Sequence, residues 1–214
     1  MSRRTKDKPD HRRTAIANEA ARLIQEHALA DFHTAKHKAV DKLGFKNDGS
    51  LPSNGEIERA LTERNRIFHG DSHLIHLQRL RESAMEIMRS LESFNPRLVG
   101  PVLSGSATEH SAIDLHLFSD AAEEVGVGLD TLGIAHRSVQ HRHRFSSGEI
   151  KQLAGFRFYS GEYTVSATVF SLLQRHHAPC SPIDGKPMQR AKLRDVALLI
   201  ENSQKPESTR TRLT

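Results

Sequence analysis

The stretch LVGPVLSGSATEHSAIDLHLFSD, residues 98–120, constrains the fold more than any other part of this chain. Short apolar runs with β-branched residues between turn signals predict a strand over 98–103 and a second over 112–118. Gly105 and Ser106 form a small-residue turn between them, and a helix is expected to begin at Ser119. Alternate side chains of a strand take opposite faces. Ile113, Leu115 and Leu117 therefore belong to a core, while Ala112, Asp114 and His116 look to solvent or to a site.

A Gly-Ser turn leading into a strand that carries an acid among aliphatics resembles the nucleotidyltransferase superfamily typified by DNA polymerase β. The resemblance implies that Gly105 and Ser106 hold the phosphates of a nucleoside triphosphate, because a Gly-lined turn and a helix N-terminus attract anions. It implies that Asp114 is the catalytic carboxylate and a ligand of Mg²⁺ or Mn²⁺. His116 with Glu162 or Glu109 would complete the metal shell. The chain departs from the family pattern in that the expected Asp-x-Asp is Ala112-Ile113-Asp114, or Asp114-Leu115-His116 in the shifted register. The gap from Ser106 to the strand is also shorter than the family's turn and helix. The strand expected over 162–170 offers only Glu162 at its mouth, with Ser166 or Thr168 inside. One carboxylate is missing, and histidine is a poor ligand for a hard cation. The expectation is a divergent, degenerate bacterial member with an incomplete metal-carboxylate site, binding or weakly catalytic. Its alternatives are an active metal-dependent enzyme, transferring a nucleotidyl group to a hydroxyl of RNA, protein or a small molecule, and a basic RNA-binding or protein-interaction module.

Upstream, residues 14–95 read as a helical region with four helices. The first spans 14–29, with Ile16, Ala20, Leu23 and Ile24 on one face. Asp31 caps a second that runs to Leu43. In the third, Ser53-Asn54-Gly55-Glu56 is a capping box opening a helix to Phe68. The fourth, 73–91, has the strongest apolar stripe, from Leu74 to Leu91, and is expected to pack on the sheet. His33 and His37 have a metal-binding spacing, but no third ligand is in view and a solvated face explains them. Asn95-Pro96 marks the break before a nucleotidyltransferase-like domain over 96–202.

Beyond the central stretch, a helix over 119–132 capped by Ser119 is followed by a strand over 134–145. A hairpin of 155–159 and 163–170 then turns at Ser160-Gly161. The class is α+β: an N-terminal helical region, then a mixed sheet of about five strands with flanking helices. A last helix starts near Gln189. The strand at 136–145 sets Arg137, His141 and His143 on one face and His136, Arg142 and Arg144 on the other. RNA is a candidate partner for it together with the basic tails, and an edge strand protected by its charge is the favoured account.

Composition narrows the function classes. The 31 Lys and Arg against 26 Asp and Glu make the chain modestly basic, and part of that excess lies in ends 1–13 and 203–214, expected to be disordered tails. No apolar run approaches the ~20 residues of a membrane span, so a cytoplasmic protein without membrane contact is expected. The single Cys180 excludes an internal disulfide, and it lacks the company of a catalytic thiol despite His176 and His177 upstream. Gly185-Lys186 is followed by Pro187, so it is no P-loop, and HExxH, CxxC, G-x-S-x-G and GxGxxG motifs are missing from the sequence.

Overall fold

A computed structural model describes residues 11–27, 29, 31–45 and 51–204. The chain is α+β, with helices α1 (His11–His27), α2 (Phe32–Lys42), α3 (Asn54–Phe68), α4 (Gly70–Ser90), α5 (Gly100–Ser104), α6 (Ala122–Thr131) and α7 (Leu193–Gln204). The strands are β1 (Arg97–Val99), β2 (Ile113–Phe118), β3 (His136–Arg144), β4 (Ile150–Ser160) and β5 (Tyr163–Phe170). No described helix is long and apolar enough to cross a membrane. The tails expected at the two ends lie outside the described residues, except that 11–13 and 203–204 are helical.

The chain divides into two compact units. One holds Met1–Gly70 with Thr108–His110 and Pro182–Asp184; the other holds Asp71–Ala107, Ser111–Ser181 and Gly185–Thr214. The helical region expected over 14–95 is thereby split, because α4 shares its core with the sheet rather than with α1–α3. Leu77, Leu80, Ala84, Ile87 and Met88 of α4 join Leu115, Leu117, Val165 and Phe158 in one buried cluster.

In the first unit, Ile16, Ala20, Ala35, Ala39 and Ile57 are fully enclosed among α1, α2 and α3. Local sequence defines the helix ends. The Asp31 carboxylate accepts from the Thr34 N–H at 2.8 Å. Ser53 and Glu56 make the reciprocal capping box, satisfying donors that a helix start leaves free. Glu56 also takes a two-pronged bond from Arg13, at 2.8 Å for each nitrogen. That pairing holds its carboxyl at about 2, with the Arg13 bond the largest cause.

In the second unit the sheet order is β1-β2-β5-β4-β3. Only β2 and β5 run parallel, with Asp114 beside Ser166 and His116 beside Thr168; all other neighbours are antiparallel. The strand expected over 98–103 is a correction: β1 ends at Val99, and α5 follows at once. Gly100 takes φ +69° and Pro101 opens the helix. Proline lacks the N–H a ladder needs yet has the φ of a first helical residue, so the run breaks there. Ser119 is likewise not the cap of α6. It sits two positions before the cap residue Ala121, whose N–H it accepts at 3.1 Å. The strand expected over 155–159 starts instead at Ile150, paired along its length with β3.

Candidate functional site

The pleat of β2 divides its residues as the alternation requires. Ile113, Leu115 and Leu117 are fully buried under the helices. Asp114, His116 and Phe118 take the other face of the sheet, where the register sets them beside Ser166, Thr168 and Phe170 of β5. Across β5, Ser166 neighbours Arg157 of β4, and Thr168 neighbours Gly155. The face thus grades from an acid and an arginine at one end to a cluster of Phe118, Phe145 and Phe170 at the other.

Gly155 shapes the middle of this face. A Cβ there would lie 2.5 Å from His141 Cδ2 and would also strike the Ala167 carbonyl oxygen. Without one, His141 from the outer strand β3 lies across β4, bringing its Nε2 to 3.5 Å from Ser166 Oγ. His143 comes to 3.4 Å from Thr168 Oγ1. Its ring meets that of His116 edge-on at 5.5 Å. A glycine inside a strand often marks such a close approach.

Three histidines here are held neutral. Burial lowers His141, with the Arg157 charge adding to it. Burial first, then the neighbouring His141 and Arg190, brings His143 to about 4. His116, only 2 % exposed, is pushed well below its ordinary value by burial and then by the Arg190 charge. Arg190 Nε donates to His116 Nδ1 at 2.9 Å. The bond requires a lone pair on Nδ1, so the imidazole carries its proton on Nε2.

Asp114 is the other perturbed group. Its carboxyl packs on Gly100, where a Cβ would stand 2.7 Å from Oδ2. Burial raises it from 3.8 to about 7, and the positive charge of Arg157 offsets this only in part. A half-buried carboxyl held near neutrality is a group that a ligand or a proton can claim.

The other expected site residues fall elsewhere. Gly105 closes the C-terminal end of α5 with φ +88°, its N–H donating to Pro101 O at 2.9 Å. Its carbonyl oxygen lies 3.2 Å from His73 Nε2. Ser106 is buried, its Oγ 2.9 Å from Ser104 Oγ. The nearby Arg81 serves the end of α5, with Nε donating to Val102 O at 3.1 Å and Nη2 to Leu103 O at 3.4 Å. The Gly-Ser turn is therefore a helix end rather than a helix start, and helix ends present carbonyls, not N–H groups. Glu162 is exposed in the β4–β5 turn, four positions ahead of Ser166, and it acts on Tyr163. Glu109 is exposed and lies 3.5 Å from His110. Asp114 and His116 share a face, but Glu162 does not join them. Among the described residues no three of His, Cys, Asp and Glu are grouped to hold a metal ion.

Sequence reasoning found Asp114 and His116 through the pleat, and named His141 and His143 only as parts of a basic strand. It missed Arg190, which lies in a turn-rich segment without periodicity. No protein-family model matches the chain, and none of the curated proteins is a significant match to it.

Proposed function

We propose that the sheet unit is a nucleotidyltransferase-like binding module that holds a nucleotide on the polar face of β2, β5 and β4. In this reading Asp114 accepts a hydroxyl or amino hydrogen of the nucleoside. Arg157 meets a phosphate. The observation that carries the reading is the register, which sets the half-buried Asp114 carboxyl, the Ser166 hydroxyl and the Arg157 guanidinium in one row across β2, β5 and β4. Where the resemblance expects a further carboxylate from a later strand, this face sets Ser166 of β5 beside Asp114, and then Arg157 of β4. A guanidinium at that position repels a divalent cation and attracts an anion. The order of elements, a strand, a short helix and then the strand with Asp114, supports the likeness.

Equilibrium titration with each nucleoside triphosphate, with and without Mg²⁺ or Mn²⁺, tests this. Binding that persists without the metal and weakens at least ~10-fold in Arg157→Gln is expected, since a charge-assisted phosphate contact is worth ~1.5–3 kcal/mol. Arg157 is exposed, so the variant folds. No nucleotide bound by the folded protein, or equal binding by the variant, defeats the proposal.

A further inference from the structure

A second concentration of charge in the sheet unit is independent of Asp114. Arg97 on β1, Arg175 and His176 after β5, and Arg190 and Lys192 ahead of α7 line one cavity of about 430 Å³. Its size lies within the ~300–1,000 Å³ of small-molecule sites.

Among the described residues no carboxylate lines it. Arg97 Nη1 donates to the backbone carbonyls of Asn95 and Pro96, both at 2.9 Å. Arg190 Nη1 donates to the carbonyls of Gln174 at 2.8 Å and Arg175 at 3.3 Å. Its Nη2 is shut off from solvent and has no acceptor among the described residues. Among the described residues no ion pair engages Arg97, Arg175, Arg190 or Lys192. The carboxylate that acts on Arg97 is Asp195, which is spent on the Lys192 backbone N–H at 2.9 Å and on Arg194 Nε at 3.4 Å. The cations feel one another. Arg190 is lowered to about 10 by burial and then by the Arg97 charge, and Arg97 is lowered by burial and then by Arg175.

Arg190 is also fixed in place. Its guanidinium lies 4.6 Å from the Phe170 ring centroid and 5.1 Å from that of Phe118, while Nε is tied to His116. A guanidinium held by two rings, an imidazole and two carbonyls loses little freedom when a ligand arrives. Four like charges gathered in a concavity, none of them in an ion pair among the described residues, are stabilised by a multiply charged anion. Arginine forks match the oxygens of a phosphoryl group. We propose that this cavity binds the terminal phosphoryl or pyrophosphoryl group of a small molecule. A nucleic acid fits it less well, because its phosphodiesters bring one charge each along a chain and the rings here lie beneath Arg190.

The test is calorimetric titration of the full chain with inorganic pyrophosphate. The exposed pair is removed in Arg175→Gln/Lys192→Gln, with Arg157→Gln as the variant that touches only the nucleotide proposal. The expected result is saturable binding that weakens as NaCl is added, falls at least ~10-fold in the double variant, and is unchanged in Arg157→Gln. Absence of pyrophosphate binding by the folded protein overturns the inference, as does equal binding by the double variant. Retention of single-stranded RNA by the native chain and not by the double variant, with pyrophosphate ignored, overturns it in favour of a nucleic-acid surface. Loss of nucleotide binding in Arg157→Gln with pyrophosphate binding intact separates the two proposals.

Discussion

Replacing Asp114 by Asn should make the protein more stable at neutral and alkaline pH while leaving it nearly unchanged in acid. A carboxyl raised from 3.8 to about 7 is favoured by the fold in its protonated form. Its native-state advantage is complete below the unfolded value near pH 4 and is lost as pH rises through 7. That displacement is worth up to about 4 kcal/mol at ~1.36 kcal/mol per pH unit. The site is half-buried, and water reaching the carboxylate reduces the penalty to ~2–4 kcal/mol. Asn has the shape of the protonated acid and cannot ionise, so it escapes the penalty. Urea denaturation of both proteins from pH 4 to pH 8.5 measures the effect, and the difference between them isolates Asp114 from the histidines they share. The expected difference is close to zero at pH 4 and climbs to ~2–4 kcal/mol in favour of Asn by pH 8. A difference that stays flat, or a less stable variant at pH 8, refutes the burial of a partnerless carboxyl on this face.

Two further outcomes concern the same face. His143, lowered from 6.5 to about 4, stays neutral in the fold while the unfolded chain takes up its proton below pH 6.5. Stability should therefore fall as the pH drops from 6.5 toward 4, by up to about 3 kcal/mol for this residue. His143→Phe should lose that part of the slope in denaturation at pH 7 and pH 4.5. Gly155→Ala sets a methyl against the Ala167 carbonyl and 2.5 Å from His141 Cδ2; since a backbone oxygen in a sheet cannot yield, a loss of ~1–3 kcal/mol is expected. Unchanged thermal stability of that variant would mean that His141 does not lie across β4.

What the sequence made legible follows the range of the interactions involved. Asp31 and the Ser53–Glu56 box act within one helical turn, and both caps are present where local spacing put them. The α4 stripe and the β2 alternation are likewise periodic, so their buried faces are readable from Leu77, Leu80, Leu115 and Leu117, although Leu74 at the start of the expected stripe is exposed. The first half of β4, Ile150 to Ala154, is not, because IKQLA has no clean alternation and is held as a strand by its partner β3. Gly100-Pro101 falls inside the apolar run 98–103 and so reads as strand, although a left-handed glycine and a following proline break it. The site itself depends on pairing register. That Arg157 rather than a second acid stands across Ser166 from Asp114, and that Arg190 reaches His116 from a distant segment, are facts of tertiary structure. Nothing in the local pattern of either arginine announces its place.

The central claim, a nucleotide held by a nucleotidyltransferase-like face without metal-assisted transfer, meets its most direct test in one measurement. Each α-phosphate-labelled nucleoside triphosphate is incubated with the native chain, Mg²⁺ or Mn²⁺, and RNA or cell-extract proteins as acceptors, with Asp114→Asn in parallel. The account predicts labelled nucleotide retained reversibly by the folded protein and no covalent label on any acceptor. Covalent transfer by the native chain that disappears in Asp114→Asn would contradict it and would make Asp114 the carboxylate of a working transferase.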